Sequence, residues 1–179
     1  MVTIFYESHA TSVDNVARHA SGHDDVPLHQ TGQAQARKMG VRYAATEIDA
    51  IFCSDLQRSY RTAEIAFSGR AIPIIKDRRL RELDYGDWTG VPMETVLAAR
   101  DQRVTIPFPS GESYAHAAAR MRAFLTDLLR TYDGKTVILI GHRATHYGLE
   151  YWINQVPLEE VVNERRAWTP GQVYTLQSI

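Results

Sequence analysis

The chain opens with crowded apolar positions and then turns abruptly polar. Val2, Ile4, Phe5 and Tyr6 put apolar side chains on both faces of residues 2–7. That is the pattern of a strand buried in a parallel sheet. Residues 10–30, rich in Ser, Asp, His, Gly and Pro, read as loop. Thr31 to Ala44 has helical periodicity, with Thr31 as N-cap. Asp49 to Cys53 is a second short strand. A helix from about Leu56 to Phe67 follows, capped by Ser54 or Asp55, and Ala71 to Lys76 is a third strand. Residues 80–111 hold several Gly and Pro and read as an irregular insertion with a short helix near 93–100. Glu112 to Tyr132 is a long amphipathic helix, with Ala118, Met121, Phe124, Leu125, Leu128 and Leu129 on one face. Lys135 to Gly141 is the clearest buried strand, Thr145 to Asn154 a helix, and Val173 to Leu176 a closing strand. Strands alternating with helices predict an α/β fold, with a mostly parallel sheet and helices on both faces.

Composition narrows the class. The 179 residues suffice for one domain with a substantial core. The formal net charge of -1 gives no basic footprint for nucleic acid. No apolar run is long enough to span a bilayer. The N-terminus lacks a basic region and a cleavage site, so no signal peptide is expected. The single cysteine, Cys53, excludes an intramolecular disulfide and fits a reducing compartment. Its ordinary role is a small buried strand residue. A cytoplasmic location is expected.

In open α/β sheets, ligands bind beyond the carboxyl ends of the strands. The residues there are Ser8, His9 and Thr11 after the first strand, and Ser54, Asp55 and Arg58 after the second. Arg81, Glu82 and Asp84 follow the third, and His142 and Arg143 follow the strongest. Alone, each is more often structural or solvated. Together, on one rim, they suit phosphoryl transfer. Guanidiniums bind phosphate oxygens, an imidazole can attack phosphorus, and a carboxylic acid can protonate the leaving oxygen. Helix N-termini after strands two and four are expected to aim N–H groups at an anion.

Several motifs, in order, resemble the histidine phosphatase superfamily, the phosphoglycerate-mutase-like proteins. Ser8-His9-Ala10-Thr11-Ser12-Val13-Asp14-Asn15 stands where that family has Arg-His-Gly-Glu-Thr-x-x-Asn. Gly22, Asp25, Leu28 and Gly32 match its next pattern. Ser54 to Ala63 is similar to its Ser-x-Leu-x-Arg-Ala-x-x-Thr-Ala helix, and Leu80 to Gly90 to its Leu-Arg-Glu-x-x-Phe-Gly-x-Trp-x-Gly segment. Gly111-Glu112-Ser113 and Gly141-His142 match two further turns. The resemblance covers nearly the whole chain. It implies a three-layer, phosphoglycerate-mutase-like domain over 1–179, with an insertion at about 86–112 over the site. It also implies a hydrolase of small phosphorylated metabolites that uses no cofactor and no metal. Carried over, His9 would be the phosphorylated nucleophile, Arg58 a phosphoryl ligand, His142 a stabiliser of charge and Glu82 the proton donor. Asn15 would support the phosphate or the nucleophile loop.

Two positions depart from the family pattern. Ser8 replaces an Arg that binds phosphate in the family, and Arg143 replaces the usual Gly after the second histidine. Arg143 could restore the missing guanidinium. The alternative is that it points to solvent or pairs with Glu82 or Asp84. Ser8, Asn15, Arg143 and Arg81 are therefore the candidate substrate-binding residues. His142 and His146 have zinc-like spacing but no evident third ligand. His19, His23 and His29 are expected in the loop over the pocket, with His19 either solvated or in contact with substrate. Trp88, Phe108 and Tyr114 could line the mouth of the site or pack in the core. The expected partner is a small phosphorylated substrate, with no nucleic acid and no membrane, and homodimerisation stays open. The competing functions are an anion-binding protein with little or no turnover and a phosphoglycerate-type mutase.

Overall fold

The computed structural model describes residues 1–163 and 169–179. Five strands form one sheet in the order β3-β2-β4-β1-β5. They are β1 (Val2–Ser8), β2 (Ala50–Cys53), β3 (Ile74–Lys76), β4 (Thr136–Gly141) and β5 (Gln172–Leu176). The first four run parallel. β5 closes the edge antiparallel to β1.

The alternation along the central strands sorts the two faces. Ile4, Tyr6, Val137 and Leu139 pack with Met121, Phe124, Leu125 and Leu128 of α5 (Tyr114–Thr131) and Leu149 of α6 (Arg143–Trp152). Ile51, Cys53, Ile138 and Ile140 face the other way. They meet Met39 of α2 (Gln30–Arg42) and Ala63 of α3 (Gln57–Ala66). The result is the three-layer α/β/α arrangement expected from the pattern. Cys53 is buried, and burial pushes its thiol up to about 12. No helix among the described residues is long and apolar enough to cross a membrane.

A third cluster joins the insertion to the helical layer. Tyr85, Phe108 and Val104 pack with Val96 of α4 (Met93–Ala99), Tyr114, Tyr147 and Val161 of α7 (Leu158–Asn163). Phe108 and Tyr114 are therefore core residues, with Trp88 stacked edge-on to Phe108.

Local chemistry shifted some predicted boundaries. The 10–30 loop contains a short helix, α1 (Val13–Ala17), held by a reciprocal capping box between Ser12 and Asn15. α2 starts at Gln30 because the His29 ring, not Thr31, accepts from the Thr31 N–H. Neither Ser54 nor Asp55 caps α3, whose first residue lies beyond Leu56. Ser54 is used elsewhere, as described below. α6 begins at Arg143, two residues earlier than expected, directly after His142. Gly141 permits this close start, since a Cβ there would come within 2.5 Å of Thr145 Oγ1.

Candidate active site

His9 lies one residue beyond β1. Its N–H continues the ladder to the Gly141 carbonyl (2.9 Å), and Thr62 Oγ1 accepts from the Ala10 N–H (3.0 Å). The strand end is thus held from β4 and α3. His9 Nδ1 lies 2.8 Å from the Ala10 carbonyl. A carbonyl only accepts, so Nδ1 carries the hydrogen and Nε2 is left with a lone pair. Burial and the Arg58 charge lower the His9 pKa to about 4, so the ring is neutral at pH 7.

His142 follows β4 and is fully buried. Its ring stands 4.9 Å from that of His9. Nε2 meets Ser54 Oγ at 2.6 Å, while Nδ1 has no protein partner. The backbone of His142 is fixed by Tyr6 Oη, which donates to its carbonyl (2.7 Å), and by Thr145 Oγ1, which accepts from its N–H (3.1 Å). Burial, then the charge of Arg58, holds this imidazole well below the usual histidine range. His146 turns away. It stacks on Tyr6 and comes within 3.4 Å of Glu150. Among the described residues, no group of three or more His, Cys, Asp or Glu is placed to hold a metal.

Glu82 lies across the N-terminus of α6. Its Oε1 accepts from the N–H groups of Leu83 (2.9 Å) and Ala144 (3.0 Å), and Oε2 from Arg143 N–H (3.2 Å). The helix N-terminus after β4 does meet an anion, but it is this carboxylate. After β2, Asp25 takes the same place at α3, accepting from Gln57 N–H at 2.6 Å. Both anion positions expected for a ligand are filled by the protein's own acids.

A cavity of about 450 Å³ opens over the strand ends, lined by Ser8, His9, Asn15, Glu82, Tyr85 and Arg143. It extends towards Gln35, Met39 and Arg42 of α2 and reaches Glu7. The buried Glu7 carboxylate accepts from Arg42 and from Tyr43 Oη. A second cavity, of about 530 Å³, shares Asn15, Met93 and Arg143 with the first and continues past Arg18 and His19.

The expected residues therefore divide. Ser8, His9, Asn15, Glu82 and Arg143 share the cavity wall, and His142 sits directly behind His9. Among the described residues Arg143 forms no ion pair with Glu82 or Asp84; its side chain hydrogen-bonds Tyr147 and borders both cavities. Arg58 is buried beneath the site, where it donates to the carbonyls of Gly22 (2.7 Å) and Asp24 (2.8 Å). Its charge reaches both imidazoles. Arg81 is not brought to the cavity wall. Asp55 takes its guanidinium through two bonds of 2.7 Å. His23, in the loop expected over the pocket, hydrogen-bonds the Glu82 carbonyl at 2.9 Å. In the sequence Ser54 reads as a rim residue and a helix cap, and its shared rim is the only signal for its contact with His142.

The chain and its fold have counterparts among known proteins. The chain is 32% identical over 150 residues to the probable phosphoglycerate mutase GpmB of Yersinia enterocolitica, covering 79% of this chain and 70% of that protein. It is 29% identical over 149 residues to the uncharacterised phosphatase PhoE of Bacillus subtilis, covering 83% and 76%. The solved structure of Bacillus stearothermophilus YhfR superposes with a TM-score of 0.85 at 28% identity, over 97% of this chain and 89% of that one. The family model matches residues 8–177, and the chain belongs to the histidine phosphatase superfamily (branch 1).

Proposed function

We propose that the protein is a phosphomonoester hydrolase that works through a phosphohistidine on His9, without a metal, on a small phosphorylated metabolite. The observation that carries this reading is the His9 ring. Its Nδ1 is tied to the Ala10 carbonyl, its charge is suppressed, and its Nε2 keeps a lone pair on a ring that lines the cavity. In the first step Nε2 bonds to phosphorus and the ester P–O bond breaks. The proton that the substrate monoanion brings is taken up by the Glu82 carboxylate and passed to the leaving oxygen. In the second step the Glu82 carboxylate takes a proton from water as the water oxygen bonds to phosphorus. The N–P bond then breaks, and the electron pair returns to Nε2 with release of inorganic phosphate.

The neighbours have matching tasks. His142, its ring held by Ser54 and standing 4.9 Å from that of His9, is suited to stabilise charge on the transferring group. Arg58 supplies positive charge from below, and Asn15 and Arg143 supply donors from the wall. Arg143 stands in for the guanidinium that the family carries at the Ser8 position. Both names occur among the relatives, a phosphatase in Bacillus subtilis and a probable phosphoglycerate mutase in Yersinia enterocolitica, and release of inorganic phosphate is what separates hydrolysis from a mutase reaction.

One observation favours a second reading, an anion-binding protein with little turnover. Arg58 already donates to two backbone carbonyls rather than lining the cavity. The test is a phosphatase assay on an aryl phosphate and a panel of phosphorylated metabolites, with a chelator present, comparing wild type with His9→Ala. Chelator-resistant release that vanishes in His9→Ala supports the hydrolase. Phosphate binding without release in either protein supports the binder.

A further inference from the structure

One guanidinium far along α5 holds the segment that carries Glu82. Arg120 has five N–H donors, and all five are used. Two go to the carbonyls of Arg79 and Arg81 at 2.7 Å each, and one to the Glu82 carbonyl at 2.9 Å. The remaining two go to Glu112 at 3.0 Å each. The carbonyl that Arg120 leaves out, that of Leu80, is taken by Thr145 Oγ1 at 3.1 Å. Every carbonyl from residue 79 to 82 is therefore tied down. Glu112 extends the hold, since its carboxylate accepts from the Asp84 N–H at 3.1 Å.

The Glu82 carbonyl has a second donor, the ring of His23, at 2.9 Å. The residues flanking His23 are the Gly22 and Asp24 whose carbonyls Arg58 holds. His23 thus joins the loop above Arg58 to the peptide of the acid.

We infer that Arg120 and His23 are positioning residues for Glu82, fixing its peptide so that the carboxyl reaches the leaving oxygen. This rests on the reading of Glu82 as proton donor. Five donors in a planar fork are needed to gather three carbonyls and a carboxylate, and a lysine ammonium cannot copy that geometry. Neither residue borders the cavity beside His9, so any effect on catalysis must pass through Glu82.

The test compares phenyl phosphate, a poor leaving group, with 4-nitrophenyl phosphate, a good one, through kcat/KM, which reports the step that expels the alcohol. The proteins are wild type, Glu82→Gln, Arg120→Lys, His23→Ala and the two double variants with Glu82→Gln. Arg120→Lys is expected to lower kcat/KM for phenyl phosphate by about tenfold more than for 4-nitrophenyl phosphate. It is expected to change little once Glu82→Gln is present. His23→Ala should show the same pattern to a smaller degree. As a substitution of a partly buried loop side chain, outside the helical core, it also decides the matter if Arg120→Lys does not fold. Equal losses on both esters, or undiminished losses in the Glu82→Gln background, overturn the inference and leave Arg120 merely structural. A Glu82→Gln enzyme without leaving-group dependence overturns the acid role of Glu82 itself, and the inference with it.

Discussion

The rings of His9 and His142 stand 4.9 Å apart, tilted by 53°, on the ends of adjacent parallel strands. Two imidazoles this close cannot both be protonated cheaply, and the buried Arg58 beneath them adds to the cost. The pair is therefore neutral at pH 7.

This neutrality has a measurable cost in acid. The folded His9 pKa, about 4, lies below the unfolded value of 6.5. Between those values the unfolded chain binds more protons, so stability rises with pH across the window. The contribution is fully present above pH 6.5 and is lost as pH falls towards 4, at most about 3 kcal/mol for His9 alone. His142 acts with the same sign. Denaturant unfolding at pH 7.5 and 4.5 should show a smaller acid loss for His9→Asn than for wild type. Equal losses would mean that His9 is not held neutral by the fold.

Ser54→Ala should disturb catalysis without touching the cavity. It leaves His142 Nε2 buried and unpaired and frees the choice of which ring nitrogen carries the hydrogen. Stability is expected to fall by about 1–2 kcal/mol and kcat by roughly tenfold, with KM little changed. Steady-state kinetics together with thermal unfolding check this. A stability loss with unchanged kcat would make Ser54 purely structural.

Arg143→Gly should lower kcat/KM by roughly 100-fold, the loss of one charge-assisted contact worth about 2–3 kcal/mol. The variant Ser8→Arg in the Arg143→Gly background is expected to recover much of that loss, because both positions border one cavity. If the double variant is no better than Arg143→Gly, the guanidinium has not moved from one strand end to the other.

Much of this was legible in the sequence, for physical reasons. The strands are runs of β-branched and aromatic residues, and their order with the helices sets the α/β class. The rim was legible because chemistry in such sheets collects at strand ends, which brought His9, Glu82, His142 and Arg143 to one place. Two short helices were not legible. α1 depends on a side-chain capping box, and α7 is only six residues long. Long-range pairing was also hidden. Asp55, 26 residues away, removes Arg81 from the cavity, and Arg120 reads in sequence as an ordinary helix arginine although it gathers residues 79–82. Such contacts depend on how elements are brought together, and local spacing carries no trace of them.

The most direct test of the central claim is to trap the intermediate. The protein is mixed with a substrate it turns over, quenched in alkali to preserve a phosphoryl–nitrogen bond, and its intact mass and peptides are read by mass spectrometry. A single phosphoryl adduct, located on His9 and absent from His9→Ala, is the predicted result. Turnover that proceeds with no adduct, or with an adduct on another residue, would contradict the assignment of His9 as nucleophile.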